Sequence, residues 1–176
     1  MRQIIKDRHI VNDDWSILRT GDNDAPDSIS IPEGKVVVPL KVWLAQRETL
    51  LARLQAQHNI AVWFGSDEQA KDLGADIHLF PLLAVDFPKF SDGRGYSIAF
   101  HLRSRFAYTG ELRAIGDVLR DQLFYMQRVG FNAFATREDR SIEEALKGLT
   151  DFSDSYQASW DQKNPLFRRN ERQAAL

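Results

Sequence analysis

Asp86, Lys89, Asp92 and Arg94 fall within nine positions of one another, interleaved with Pro88, Gly93 and Gly95. Cations of this kind, set beside unpaired backbone N–H groups, bind phosphate, sulfate or carboxylate. The glycines on either side of Arg94 let the backbone bend tightly or a ligand come close. Asp86 or Asp92 serves as a general base if it is desolvated. The plainer alternative is that Asp86, Asp92 and, further on, Asp117 cap turns and helices while Lys89 and Arg94 pair with them.

The residues before this loop say where it must sit. Leu79 to Val85 is an almost uninterrupted apolar run that stops abruptly, as a strand buried on both faces does in a parallel sheet. Charges at the carboxyl end of such a strand lie where α/β sheets keep their binding sites. The same unit recurs along the chain. Val36–Leu40 reads as a strand followed by Val42, Trp43, Leu44, Arg47, Leu50, Leu51 and Leu54 at helical spacing. Ile60–Phe64 is the next strand, with Ser66 and Gln69 as a capping box for a short helix. Leu82–Phe87 leads to a helix from about Tyr96, with Ile98, Ala99, Leu102 and Phe106 as its stripe. Leu112–Gly116 precedes a helix with Asp117 as N-cap, and Val118, Leu119, Leu123, Met126 and Val129 line one face up to Gly130. Phe131–Thr136 is a fifth strand, and Ser141 with Glu144 caps a last helix bearing Ile142, Ala145, Leu146 and Leu149.

Five successive strand–helix units require right-handed crossovers and a mainly parallel sheet, either an open doubly wound one or one curled toward a partial barrel. The short units favour the barrel-like form. Residues 1–160 form a single α/β domain: a β-hairpin or meander over 1–20 that covers one edge of the core, an acidic loop over 21–34, and the repeats over 35–150. Residues 161–176 lack periodicity and read as a flexible tail. Because parallel strands end on one face, their loops gather Ser66 and Asp67, the cluster around Arg94, Asp117 and Arg120, and Thr136 and Arg137. The anion- or partner-binding candidates are therefore Lys89, Arg94, Tyr96, Ser97, Asp117, Arg120 and Arg137. Tyr96 and Ser97 either donate hydrogen bonds to a ligand or simply begin their helix. Arg120 and Asp121 diverge by ~100° around theirs, so one faces the site and the other a neighbour. Asp121 so near a helix start is favourable with the macrodipole alone.

Composition narrows the chemistry. Of 176 residues, 43% are hydrophobic and 27% charged, as in a soluble globular protein. No apolar run reaches the roughly 18 residues of a membrane span, and the start, MRQIIKDRHIVNDDW, has no apolar segment of a signal peptide, so a cytoplasmic protein without a membrane partner is expected. A formal charge of -2 gives no reason to expect nucleic-acid binding. With no cysteine, the chain has no thiol nucleophile, no thiolate zinc site and no cysteine ligands for an iron–sulfur cluster. His9, His58, His78 and His101 have no metal-ligand spacing. No intrinsic cofactor is expected, and redox chemistry would need a bound organic group or a partner. GxSxG, Walker, HExxH and GxGxxG signatures are absent.

The strings DFPKFSDGRGYS, GELRAIGDVLRDQLFYMQRVGFNAF and DFSDSYQ, with IVNDDW and VPLKVWLAQR earlier, resemble a bacterial family whose genes lie beside those of assimilatory sulfate and sulfite reduction. Its members are labelled probable oxidoreductases of sulfite reduction, and the likeness runs from about Ile4 to Trp160. The resemblance implies a place in sulfur assimilation toward cysteine, but no catalytic residue comes with it. Sulfite reduction runs on a sirohaem and iron–sulfur centre that this chain has no cysteines to hold. An accessory protein acting with the reductase haemoprotein is therefore expected. The rival expectation is a small-molecule enzyme or binding protein for a sulfur-containing or phosphorylated anion.

Overall fold

The computed structural model describes residues 2–21 and 23–169. β1 (Gln3–Lys6) and β2 (His9–Asn12) form the expected hairpin around Asp7 and Arg8. Both turn residues have positive φ, 47° and 65°, the backbone that matches the twist of a two-residue hairpin. β3 (Ser16–Ile17) is followed after a long loop by β4 (Val36–Pro39), α1 (Leu40–Ala45) and α2 (Arg47–Gln57). Next come β5 (Ile60–Phe64), a 3₁₀ segment (Ala70–Leu79) kinked at Gly74, β6 (Leu82–Phe87) and α3 (Arg94–Ser104). β7 (Glu111–Gly116), α4 (Arg120–Val129), β8 (Ala133–Phe134), α5 (Ile142–Lys147) and α6 (Leu166–Arg169) complete the chain.

One eight-stranded sheet runs in the order β2-β1-β8-β7-β6-β5-β4-β3. β3 to β8 are parallel neighbours in chain order, and only β1 and β2 run antiparallel. A sheet that never reverses its strand order sends every right-handed crossover to the same side. The fold is accordingly a half-barrel with helices on one face, and the doubly wound alternative falls away. On the helical face Val38, Val62, Phe64, Leu83, Val85, Phe87 and Leu112 pack with Leu50, Leu54, Ile98, Leu102, Leu123 and Met126. Each such buried aliphatic or aromatic side chain contributes about 1.5–3 kcal/mol.

The other, concave face is built from the alternate residues of the same strands: Val37, Ala61, Leu82, Ala84, Ile115 and Ala135. Its small alanines leave room for Trp15, Ile17 and Trp63, which pack over them. Here the structure departs from the expectation that residues 1–20 cover one edge. The hairpin does so, through β1 on β8, but Ser16–Ile17 joins β4 at the opposite edge. The segment between them crosses the concave face and seats Asp13 against Arg113 of β7, at 2.9 and 3.0 Å. Both side chains are 2% exposed. Arg113 also reaches Glu111, which takes Lys6 at 2.7 Å.

Other boundaries shift for local reasons. The fifth strand keeps only Ala133–Phe134 as ladder, since Asn132 spends its side chain on the Leu112 N–H at 2.7 Å. Ser66 does not cap a helix. The Glu68 carboxylate instead takes the Gly65 N–H, and the helix begins after Gln69, whose N–H bonds Asp72. Asp117 is not an N-cap either, because α4 starts three residues later with the Leu119 N–H on Gln122. Ser141 does cap α5, accepting from the Glu144 N–H at 3.1 Å. Of the expected tail, residues 161–169 are tied back by Arg128–Asp161 and Arg169–Asp154, and 170–176 lie outside the described residues.

Candidate functional site

The loops after β5, β6, β7 and β8 stand at one end of the sheet, and they sort the candidate residues into separate groups. The first surrounds Arg94. Its Nε and Nη2 donate to the two Asp92 oxygens at 2.9 and 2.7 Å, and Nη2 also donates to the Ser66 hydroxyl at 2.8 Å. The guanidinium, with help from Ser66, holds the Asp92 carboxyl far below the usual carboxylate range, and Asp92 raises Arg94 in return. The flanking glycines divide in role. A Cβ on Gly95 would lie 2.8 Å from Phe87 Cζ and 3.0 Å from Val85 Cγ1, so Gly95 is there to let α3 settle on β6. Gly93 has a helical backbone and no such neighbour.

The second group joins two loops. Asp117 accepts from the Phe90 N–H at 2.9 Å and from Arg137 at 3.1 Å. Arg137 also forks onto Asp139 at 2.8 and 2.7 Å, and the two carboxylates raise it further. Lys89 stands exposed beside this pair, without an ion pair among the described residues. Tyr96 is half-buried under the loop, edge-on to Phe87 and to Tyr125 at 5.3 and 5.2 Å, and burial pushes its hydroxyl up. Arg120 turns away from the loops to Asp151 at 2.6 Å.

Asp86 belongs to neither group, because strand alternation points it into the concave face. There it accepts from Arg19 at 2.8 Å, and the Arg19 guanidinium lies 5.0 Å over the Trp63 ring. Arg19 and Trp63 escaped sequence reasoning, since 67 residues separate Arg19 from Asp86 and no local pattern links them. Ser97 lies in a groove of about 420 Å³ between the 3₁₀ segment and α3, with Ser66, Glu68, Arg94 and His101. Glu68 was also missed. Burial pushes its carboxyl up, with Asp67 and Asp72 adding to the effect. The legible signal there was helical spacing, which puts Arg94, Ser97 and His101 on one stripe.

These arrangements can hold ligands by hydrogen bonds and charge. The Ser66 hydroxyl is met by Arg94 rather than by an imidazole, so the group lacks a paired nucleophile and base. Among the described residues no three His, Asp or Glu side chains converge as a metal-ligand set. No described helix is long and apolar enough to cross a membrane.

Residues 61–167, which include all the loop groups except Arg19, match the profile of a bacterial protein family of unknown function, DUF934. Comparison with curated proteins and with solved structures finds no match.

Proposed function

The chain belongs to the bacterial family of unknown function DUF934, and from that premise we propose that it is an accessory protein of assimilatory sulfite reduction that docks on the reductase haemoprotein. The observation that carries this reading is an aromatic patch on the outer rim of the loop end. Phe90 is 49% exposed and Tyr125 53% exposed, with Tyr96 between α3 and α4 and Phe100 one turn below it on α3. Gln122 links the patch, donating to the Phe90 carbonyl at 3.3 Å. Exposed tyrosine and phenylalanine are residue types enriched at the cores of protein interfaces, and Lys89 beside them adds a charge suited to the rim. Hydrogen bonds to its N–H and carbonyl fix the Phe90 backbone before any partner arrives, which lowers the ordering cost of association. The resemblance to proteins encoded beside sulfite reduction supports this choice of partner, and with no cysteine in this chain the iron–sulfur cluster would be held by that partner.

Pull-down from cells grown on sulfate tests the reading. The sirohaem subunit, identified by its absorbance, should be recovered at near-equal amounts with the wild type and lost with Phe90→Ser/Tyr125→Ser at an unchanged melting temperature. Failure of the wild type to recover it, or undiminished recovery by the double variant, overturns the reading. A second reading, a site for a sulfur-containing or phosphorylated anion, is favoured by a cleft of about 460 Å³ after β8 lined by Arg2, Arg137 and Arg140 together with Glu138. Calorimetric titration with sulfate and adenylyl sulfate measures it.

A further inference from the structure

The groove between the 3₁₀ segment and α3 has walls of opposite character. On the α3 wall Arg94 uses Nε and Nη2 for Asp92 and Ser66, which leaves Nη1 free of partners among the described residues. Ser97 and His101 face the same space, and neither makes a side-chain hydrogen bond there. On the opposite wall Glu68 gives one oxygen to the Gly65 N–H at 2.6 Å and keeps the other unused, beside Asp67. Between them the floor is apolar, formed by Ile98 and Ala70, which are 5% and 3% exposed. A volume of about 420 Å³ is that of a small-molecule cleft.

Charge decides among ligands. Asp92 already offsets Arg94, so a dianion such as sulfate would meet Asp67 and Glu68 across the groove with little surplus cation to hold it. A simple cation would find Arg94 and His101 on the other side. A molecule carrying both charges on one carbon matches both walls at once and leaves its side chain over Ile98. We propose that this groove binds a zwitterionic α-amino acid, its carboxylate on Arg94 and Ser97 and its ammonium on Glu68 and Asp67. Ionic hydrogen bonds of this kind are stronger than neutral ones, and both must form together for the ligand to stay.

The site lies on the α3 stripe turned away from Phe90 and Tyr125, so amino-acid binding and partner docking stand or fall separately. Titration calorimetry with four probes tests it: L-alanine, L-serine, L-alanine methyl ester, which lacks the anion, and N-acetyl-L-alanine, which lacks the cation. The two free amino acids should bind about tenfold or more tighter than either blocked one, the loss expected for one charged hydrogen bond. Glu68→Gln keeps an acceptor for the Gly65 N–H. It should weaken L-alanine about tenfold and leave N-acetyl-L-alanine unchanged, while Arg94→Gln should weaken L-alanine and leave the methyl ester unchanged. Melting curves check that each variant is folded, and the exposed Asp67→Asn gives a second reading of the ammonium wall. N-acetyl-L-alanine binding as tightly as L-alanine, or no heat from either free amino acid at millimolar concentration, overturns the proposal.

Discussion

Removing Asp13 tests whether the crossing segment is clamped to the concave face by charge. Asp13 and Arg113 are each 2% exposed, and Asp13 takes two bonds from one guanidinium nitrogen and one from the Trp15 N–H at 3.2 Å. The group is balanced, with the buried Arg113 and the part-exposed Lys6 against Glu111 and Asp13. Asp13→Ala leaves one positive charge uncompensated out of water, a change that costs about 3–5 kcal/mol. Because Arg113 keeps Glu111 at 2.7 Å, the lower end, about 3 kcal/mol, applies. At about 2–4 °C per kcal/mol for a domain of this size, the melting temperature should fall by about 6–12 °C. Asp13→Ala combined with Arg113→Met restores neutrality around Lys6 and Glu111 and should recover more than half of the loss, by the logic of a double-mutant cycle. Urea unfolding and calorimetry of the two variants measure both quantities. A loss below about 1 kcal/mol in the single variant, which is the size of a surface pair, would refute the clamp. So would a double variant no more stable than the single one.

Arg94→Ala should leave the melting temperature essentially unchanged and raise the Asp92 carboxyl back toward the ordinary carboxylate range in an NMR titration. A melting point lowered by many degrees would make Arg94 a structural clamp. Gly95→Ala drives a methyl group against Phe87 and should cost about 1–3 kcal/mol of stability, read from urea unfolding. Equal stability would mean that α3 can back away from β6. Asp76 is held below its ordinary pKa first by Arg47 and also by the Trp43 indole N–H. Its stabilising effect is therefore complete above about pH 4 and is lost as the pH falls through the depressed folded value. Asp76→Asn should lower stability at neutral pH and flatten the acid limb, and an unaltered limb in acid unfolding would contradict it. Glu68, raised by burial, has the opposite sign, so Glu68→Gln should melt at or above the wild type at pH 7.

What could be read from the chain was local and periodic. LLAVDF is apolar at every position but Asp86, and it is buried throughout, as strands covered on both faces must be. Ser141 and Glu144 sit three apart before an apolar stripe, and the cap forms. The two-residue turn at Asp7 and Arg8 was marked by β-like runs on either side. What was hidden depends on partners far away in sequence. Two residues, Ser16 and Ile17, carry no signal that says which edge they join, and their choice follows from where Asp13 finds Arg113, 100 residues on. Asp86 looks like a member of the Arg94 loop until strand alternation turns it into the concave face, toward Arg19. Asp117 has the position and chemistry of an N-cap, yet the Phe90 N–H and Arg137 compete for its carboxylate and win.

The two margins of the sheet are both finished by the first eighteen residues of the chain, β1 and β2 on one side and β3 on the other. β1 and β2 precede β8 by more than 100 residues, yet they can be seated only after β8 has been made and placed, because β1 pairs with β8, Ile5 opposite Phe134, whereas β3 needs only β4. Until then the partly assembled sheet presents an open ladder at its β8 margin, the template on which strands of separate molecules add to one another. A chain truncated of this segment should therefore be prone to clump, and its refolding yield should fall as concentration rises. The short, positive-φ turn at Asp7 and Arg8 lets the hairpin form by itself while it waits, on a scale of microseconds, so the last step is the docking of a ready-made piece.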